Sequence, residues 1–226
     1  MKKYIISILL ATLMNNPAYA GFSLGQTRVI YNQAERQSTL RMINSGKDEY
    51  YLVQAWIDES DKGGNQHANA FIITPPVFKF HPDSENMLLI KSINDNFPTD
   101  RESLYYINVK AIPGVDSDVT NKITFATKSV IKLIYRPKSL NAEDAVNAWQ
   151  KLVITQQDGA VIIKNPTPYI INIGVFFING SAKKISYISP LSEQKIILKD
   201  SERPVTVEYS VINDFGGASK LHNIKL

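Results

Sequence analysis

Few side chains in this sequence could do chemistry. The histidines are His67, His81 and His222. His67 lies in a stretch rich in Gly and Asn, His81 precedes Pro82, and His222 falls near the C-terminus. None has the spacing of a zinc-binding helix, and no cysteine can complete a metal site. There is no phosphate-cradling glycine loop and no Gly-x-Ser-x-Gly elbow. The carboxylates are scattered over turns, so no acid/base pair of the glycosidase kind can be picked out. The expectation is a non-enzyme that uses no cofactor and no metal. One side chain stands apart: Lys132, set among Val130, Ile131, Leu133 and Ile134. An ammonium in such surroundings needs a counter-ion, or its carbon stem must carry the charge out to water.

The element that positions Lys132 is the stretch 123–137, rich in β-branched and aromatic residues and free of Gly and Pro until its end. It reads as one long strand. Ile123, Phe125 and Thr127 lie on one face, and Thr124, Ala126 and Lys128 on the other. Such a strand can present alternate side chains to an incoming strand while its backbone supplies hydrogen bonds. Lys132 differs in parity from the series 123, 125, 127, so a regular strand does not put all four on one face. A bulge or strong twist between Lys128 and Val130 would reconcile them.

The start of the chain has the pattern of a secretory signal peptide. Lys2 and Lys3 precede a short apolar core, and Ala18-Tyr19-Ala20 is a small-residue cleavage site. Cleavage after Ala20 would start the mature chain at Gly21 and release it without membrane insertion, since no later segment reaches the ~18 apolar residues of a span. Without Lys2 and Lys3 the chain carries 23 basic against 21 acidic residues. That balance is too weak to suggest a nucleic acid as partner.

Strand patterns recur at residues 27–31, 38–43, 50–57, 71–73, 77–80, 87–93 and 104–112, with turn signals at Gly63-Gly64, Pro75-Pro76 and His81-Pro82-Asp83. A polar, Ala-rich segment at 139–150 follows Arg136-Pro137, with Asn141 as a candidate N-cap for a turn or two of helix. Strands resume at 151–155, 160–164, 169–178, 194–198 and 205–212, punctuated by Pro166, Pro168, Pro190 and Pro204. The expected architecture is all-β: two sandwich domains, 21–140 and 141–226, behind a signal peptide at 1–20.

Seven segments, in order, resemble the PapD-like periplasmic pilus chaperones. They are Thr27-Arg28-Val29-Ile30-Tyr31, Tyr51-Leu52-Val53-Gln54-Ala55-Trp56, Phe71-Ile72-Ile73-Thr74-Pro75-Pro76, Asp100-Arg101-Glu102-Ser103-Leu104, Asn108-Val109-Lys110-Ala111-Ile112-Pro113, Ile131-Lys132-Leu133-Ile134-Tyr135-Arg136-Pro137 and Asn213-Asp214-Phe215-Gly216-Gly217. The resemblance implies two immunoglobulin-like domains in a boomerang arrangement. It implies a chaperone that caps pilin subunits by donor-strand complementation and delivers them to an outer-membrane usher. Arg28 and Lys132 match the pair that grips the pilin C-terminal carboxylate. Ile123, Phe125 and Thr127 match the groove-filling face of the donor strand. Glu102, Arg136 and Asp214 match an ionic network between the domains, and Pro75 a cis-proline. Self-association through an unloaded donor strand is a further expectation.

The sequence departs from the family at two points. Thr127 stands where a larger aliphatic residue is usual, and no disulfide can form in the second domain. The short connection from Ala111 to Asn121 and the brief arm before Arg28 resemble the family's short-loop branch. The alternative reading is a secreted immunoglobulin-like structural or adhesive pilus component. Such a protein would carry a detachable N-terminal extension of alternating apolar residues, and Arg28 follows the expected cleavage site too closely for one.

Overall fold

The computed structural model describes residues 21–61, 68–114, 123–198 and 205–226. The expected signal peptide, the Gly63-Gly64 turn, His67, Pro204 and most of the connection before Ile123 lie outside the described residues.

Among the described residues the first half holds nine strands: β1 (Phe22–Leu24), β2 (Arg28–Asn32), β3 (Ser38–Asn44), β4 (Tyr51–Asp58), β5 (Phe71–Thr74), β6 (Val77–Phe80), β7 (Ser84–Ser92), β8 (Ser103–Pro113) and β9 (Thr127–Arg136). They form two sheets, β1-β3-β7-β5 and β2-β9-β8-β4-β6. Alternation decides which face is buried. Along β4, Tyr51, Val53, Ala55 and Ile57 are buried, whereas Leu52 and Gln54 are exposed. With Tyr31, Leu40, Met42, Leu88, Ile90, Ile107 and Leu133 they make one core between the sheets. The Thr74–Pro75 peptide between β5 and β6 is cis.

The second half opens with a short helix, α1 (Ala142–Asn147), which starts where the Asn141 side-chain oxygen accepts from the Asp144 N–H at 2.7 Å. Eight strands follow among the described residues: β10 (Val153–Gln157), β11 (Ala160–Asn165), β12 (Ile171–Ile178), β13 (Ser181–Ala182), β14 (Tyr187–Ile188), β15 (Ser192–Ile197), β16 (Thr206–Ile212) and β17 (His222–Lys225). One sheet is β10-β11-β15; the other is β13-β12-β16-β17, with β14 also on β12. Val161, Ile163, Ile178, Val205 and Val207 centre a second, separate core. Two cores, each between two sheets, make this a two-sandwich chain.

Two expectations need correction. The strand starts at Thr127, not Ile123: residues 123–126 lie in no ladder. The last β8–β9 pair is Ala111 with Thr127. Beyond it β8 offers only Ile112 and Pro113, and a proline has no N–H to donate. The bulge between Lys128 and Val130 is also absent, since β9 pairs with β8 from Tyr135 to Thr127 without a shift. Thr127 therefore shares the face of Leu133 and Tyr135, and Lys132 shares the other with Ile134 and Arg136. A register shift does occur in the second domain, between Ile173 and Val175, where a Cβ on Gly174 would lie 2.7 Å from the Ser210 hydroxyl.

Candidate functional site

β2 runs parallel to β9, and Arg28 is the register partner of Lys132. Two cationic side chains from sequence positions a hundred residues apart thus stand beside each other on one sheet. Arg28 is 9% exposed, and its Nε–H and one terminal N–H group have no acceptor. Burial pulls its pKa down, and Asp214 opposes that pull. The Lys132 ammonium donates to the Asn172 side-chain oxygen at 2.8 Å and the Ser186 carbonyl at 2.9 Å, both in the second domain. It also sits 5.0 Å from the centre of the Tyr187 ring. Burial, and then the Arg28 charge, push its pKa down to about 8. An ammonium has three donors, so one is left over. Buried guanidinium donors without acceptors are rare and costly. Asp214 and Asp61 act on the pair only through space; what the pair lacks is an anion in hydrogen-bond contact, and a carboxylate offers acceptors only.

The far end of β9 holds a second charged group. Arg136 donates from Nε to Glu102 Oε1 at 2.6 Å and from a terminal nitrogen to Asp214 Oδ2 at 2.9 Å. The Arg136 and Glu102 side chains are 4% and 1% exposed. Burial alone would lower the Arg136 pKa, but Glu102 and Asp214 more than offset it and hold it raised. The other Glu102 oxygen accepts from the Ile170 N–H at 2.7 Å, and the Glu102 N–H donates to the Pro168 carbonyl at 2.9 Å. Glu102 and Arg136 belong to the first half of the chain, and Pro168, Ile170 and Asp214 to the second. The structure thus brings Glu102, Arg136 and Asp214 together across the two sandwiches.

Ile123 and Phe125 are 79% and 80% exposed, in the segment that precedes β9, and Thr127 is exposed at the first position of that strand. Pro75 lies apart from these groups, at the β5–β6 turn. Sequence reasoning missed the second-domain acceptors of Lys132. Asn172 carried a signal, a single polar residue in the run Ile170-Ile171-Asn172-Ile173. Ser186 acts through its backbone and carried none.

Residues 21–141 match the N-terminal domain of the pili and flagellar-assembly chaperone PapD, and residues 147–223 match its C-terminal domain. The chain belongs to the PapD family of pili assembly chaperones. The chaperone protein LpfB of Salmonella typhimurium is 34% identical over 220 residues, 95% of this chain and 93% of that protein. Among solved structures, a chaperone-family chain in the Salmonella enterica complex of SafA pilin with the SafB chaperone superposes with a TM-score of 0.75 at 27% identity. It covers 93% of this chain and 98% of its own. The E. coli chaperone DraB has the same TM-score at 33% identity, covering 91% and 98%. The chaperone is therefore a member of a periplasmic, non-enzymatic family, and the alternative of a structural or adhesive pilus component falls away. No helix among the chaperone's described residues is long and apolar enough to cross a membrane.

Proposed function

We propose that this chaperone holds a pilin subunit by its C-terminal carboxylate, using Arg28 and Lys132, and lends the subunit the exposed segment that runs from Ile123 into the start of β9. The observation that carries the reading is the pair of buried Arg28 N–H groups without acceptors, beside a lysine of lowered pKa. A carboxylate between the two would accept from both, each charge-assisted bond contributing about 1.5–3 kcal/mol. It would also fix the register of the bound chain end.

From that anchor the client would run along β9 towards its start. The ladder puts Thr127 on the face that, further along, fills the first core with Leu133 and Tyr135. Continued as an extended strand, Phe125 and Ile123 take the same face. One face of one strand then serves two cores, its own and the client's. Each fully buried apolar side chain would stabilise the pair by roughly 1.5–3 kcal/mol. Lys132 works from the opposite face, so the difference in parity requires no bulge. Glu102, Arg136 and Asp214 hold the angle between the sandwiches and so keep the anchor aligned with the strand.

The rest of the cycle follows from export. Cleavage after Ala20 delivers domains 21–140 and 141–226 to the periplasm. The client passes on by strand exchange at an outer-membrane usher, with no nucleotide or metal. Unloaded chaperone self-associates through the exposed segment 123–126, which joins no ladder and carries the exposed apolar side chains of Ile123 and Phe125.

The test is co-expression with a pilin encoded beside the chaperone. Wild type should yield a soluble 1:1 complex. Lys132→Ala and Arg28→Ala should leave the pilin in aggregates while the chaperone itself stays folded. Undiminished complex with either variant would overturn the anchor.

A further inference from the structure

The turn at residues 213–217 carries a side chain that nothing above uses. Phe215 is 93% exposed, the most exposed large apolar residue among those described. It is nonetheless held firmly. The Asn213 side-chain oxygen accepts from the N–H groups of Phe215 at 3.1 Å and Gly217 at 2.8 Å. The Asn213 and Gly217 backbones are joined at 2.9 Å. Gly216 has φ +88°, and a Cβ there would lie 2.8 Å from the Thr27 hydroxyl, so the turn sits against the start of β2. Asp214, next to Phe215, is bonded to Arg136. The backbone of the turn is thus held beside the first domain, by the Asp214–Arg136 bond and by the close approach of Gly216 to Thr27, which places Phe215 near Arg28.

Phe215 and Arg28 line the same hollows. A cleft of about 610 Å³ has Arg28, Val29, Arg136, Asp214 and Phe215 in its wall, and a smaller one of about 230 Å³ has Leu24, Thr27, Arg28, Asp214 and Phe215. Arg28 is nine-tenths buried, and two of its N–H positions lack an acceptor. The larger cleft therefore combines an unsatisfied cation with an aromatic side chain; its wall also carries the Glu35 and Asp214 carboxylates, and Lys132 lies outside it. A chain terminus matches both: a carboxylate for the guanidinium, and a side chain for the ring.

We propose that Phe215 is a specificity-determining residue of the anchor: it packs on an apolar side chain within the last two residues of the client and so selects clients whose C-terminus is apolar. This rests on the carboxylate reading of Arg28 and Lys132. Aromatic contacts beyond simple area burial are of a size that gives roughly tenfold in affinity.

The test uses full-length mature chaperone and short synthetic peptides of one sequence, ending in Phe or in Ala at either of the last two positions, each as free acid and as amide. Binding is read by fluorescence anisotropy. Wild type should prefer a Phe-ended acid by about tenfold. Phe215→Ala should bind both acids as weakly as wild type binds the Ala-ended one, and Phe215→Tyr, which keeps the ring, should keep most of the preference. The thermal midpoint should not move, because the side chain is exposed. If amides bind as well as acids to every protein, the carboxylate reading fails and this inference with it. If amidation abolishes binding but Phe215→Ala keeps the full Phe preference, the anchor stands and the role of Phe215 is overturned. If Phe215→Ala changes only self-association in sedimentation, the ring belongs to an interface between copies and the proposal is equally overturned.

Discussion

The titration of Lys132 should set the pH range in which the chaperone captures pilin. Burial and the neighbouring Arg28 charge hold its pKa at about 8, against 10.5 in the open. A bound carboxylate favours the ammonium and raises that value again. Binding therefore takes up a proton wherever the pH lies between the free and bound values. Below about pH 8 affinity should be flat, because Lys132 is already charged and Arg28 stays charged throughout. Above it affinity should fall, approaching tenfold per pH unit, until the bound-state value is reached. At pH 9 about a tenth of free chaperone retains the proton, so the loss there should be about tenfold. The sign for stability is the reverse of the usual lysine case. The folded pKa lies below the unfolded one, so the folded state binds fewer protons, and the unloaded chaperone should gain stability as pH rises from about 8 to 10.5. Tyr106, whose pKa burial pushes up with help from the Tyr187 hydroxyl, stays silent in this window. Calorimetric titration between pH 6 and 10, with a C-terminal pilin peptide lacking Lys, Tyr and a free amine, measures the profile. Lys132→Arg should flatten it. Constant wild-type affinity across this range, or the same decline in Lys132→Arg, would refute the assignment.

Arg136→Ala removes the bridge between Glu102 and Asp214 and leaves a buried carboxylate with the Ile170 amide as its remaining partner on that side. Loss of one partner of a buried pair costs about 3–5 kcal/mol, so the thermal midpoint should drop and small-angle scattering should show a wider spread of domain angles. An unchanged envelope and midpoint would show that this buried network does not hold the domain angle. Thr127→Leu should tighten pilin binding by ~1 kcal/mol and slow handover, because an exposed position gains apolar area for the client groove. If stability instead falls by about 1–3 kcal/mol without slower pilin dissociation, residue 127 faces this chaperone's own core.

The strands were legible where apolar residues alternate over five or more positions. The pattern at 50–57 predicted a strand where β4 runs, and the Asn141 cap predicted where α1 starts. Two-residue strands such as β13 and β14 carry no period, and β17 alternates too briefly among Asn and Lys to stand out. The start of β9 was misjudged because composition reports the capacity to form a strand, whereas a ladder also needs a partner, and β8 ends at Pro113. The site was legible unevenly. Lys132 announced itself as a charge in an apolar run. Its acceptors lie 40 and 54 residues away, and no local pattern specifies which segment of a second domain will meet a given side chain. Arg28, Glu102, Arg136 and Asp214 were found through family resemblance rather than spacing. Their joint geometry arises only when the second sandwich folds back on the first.

The most direct measurement of the anchor is the Arg28 Nε–H resonance. In the unloaded chaperone this donor is buried and has no acceptor. Proton–nitrogen spectra recorded with a pilin C-terminal peptide as free acid should show that signal moving downfield and exchanging more slowly with water. The same peptide as the amide should leave it where it was. A resonance that does not move with the acid, or that moves equally with the amide, would contradict the claim that this chaperone holds its client by the terminal carboxylate.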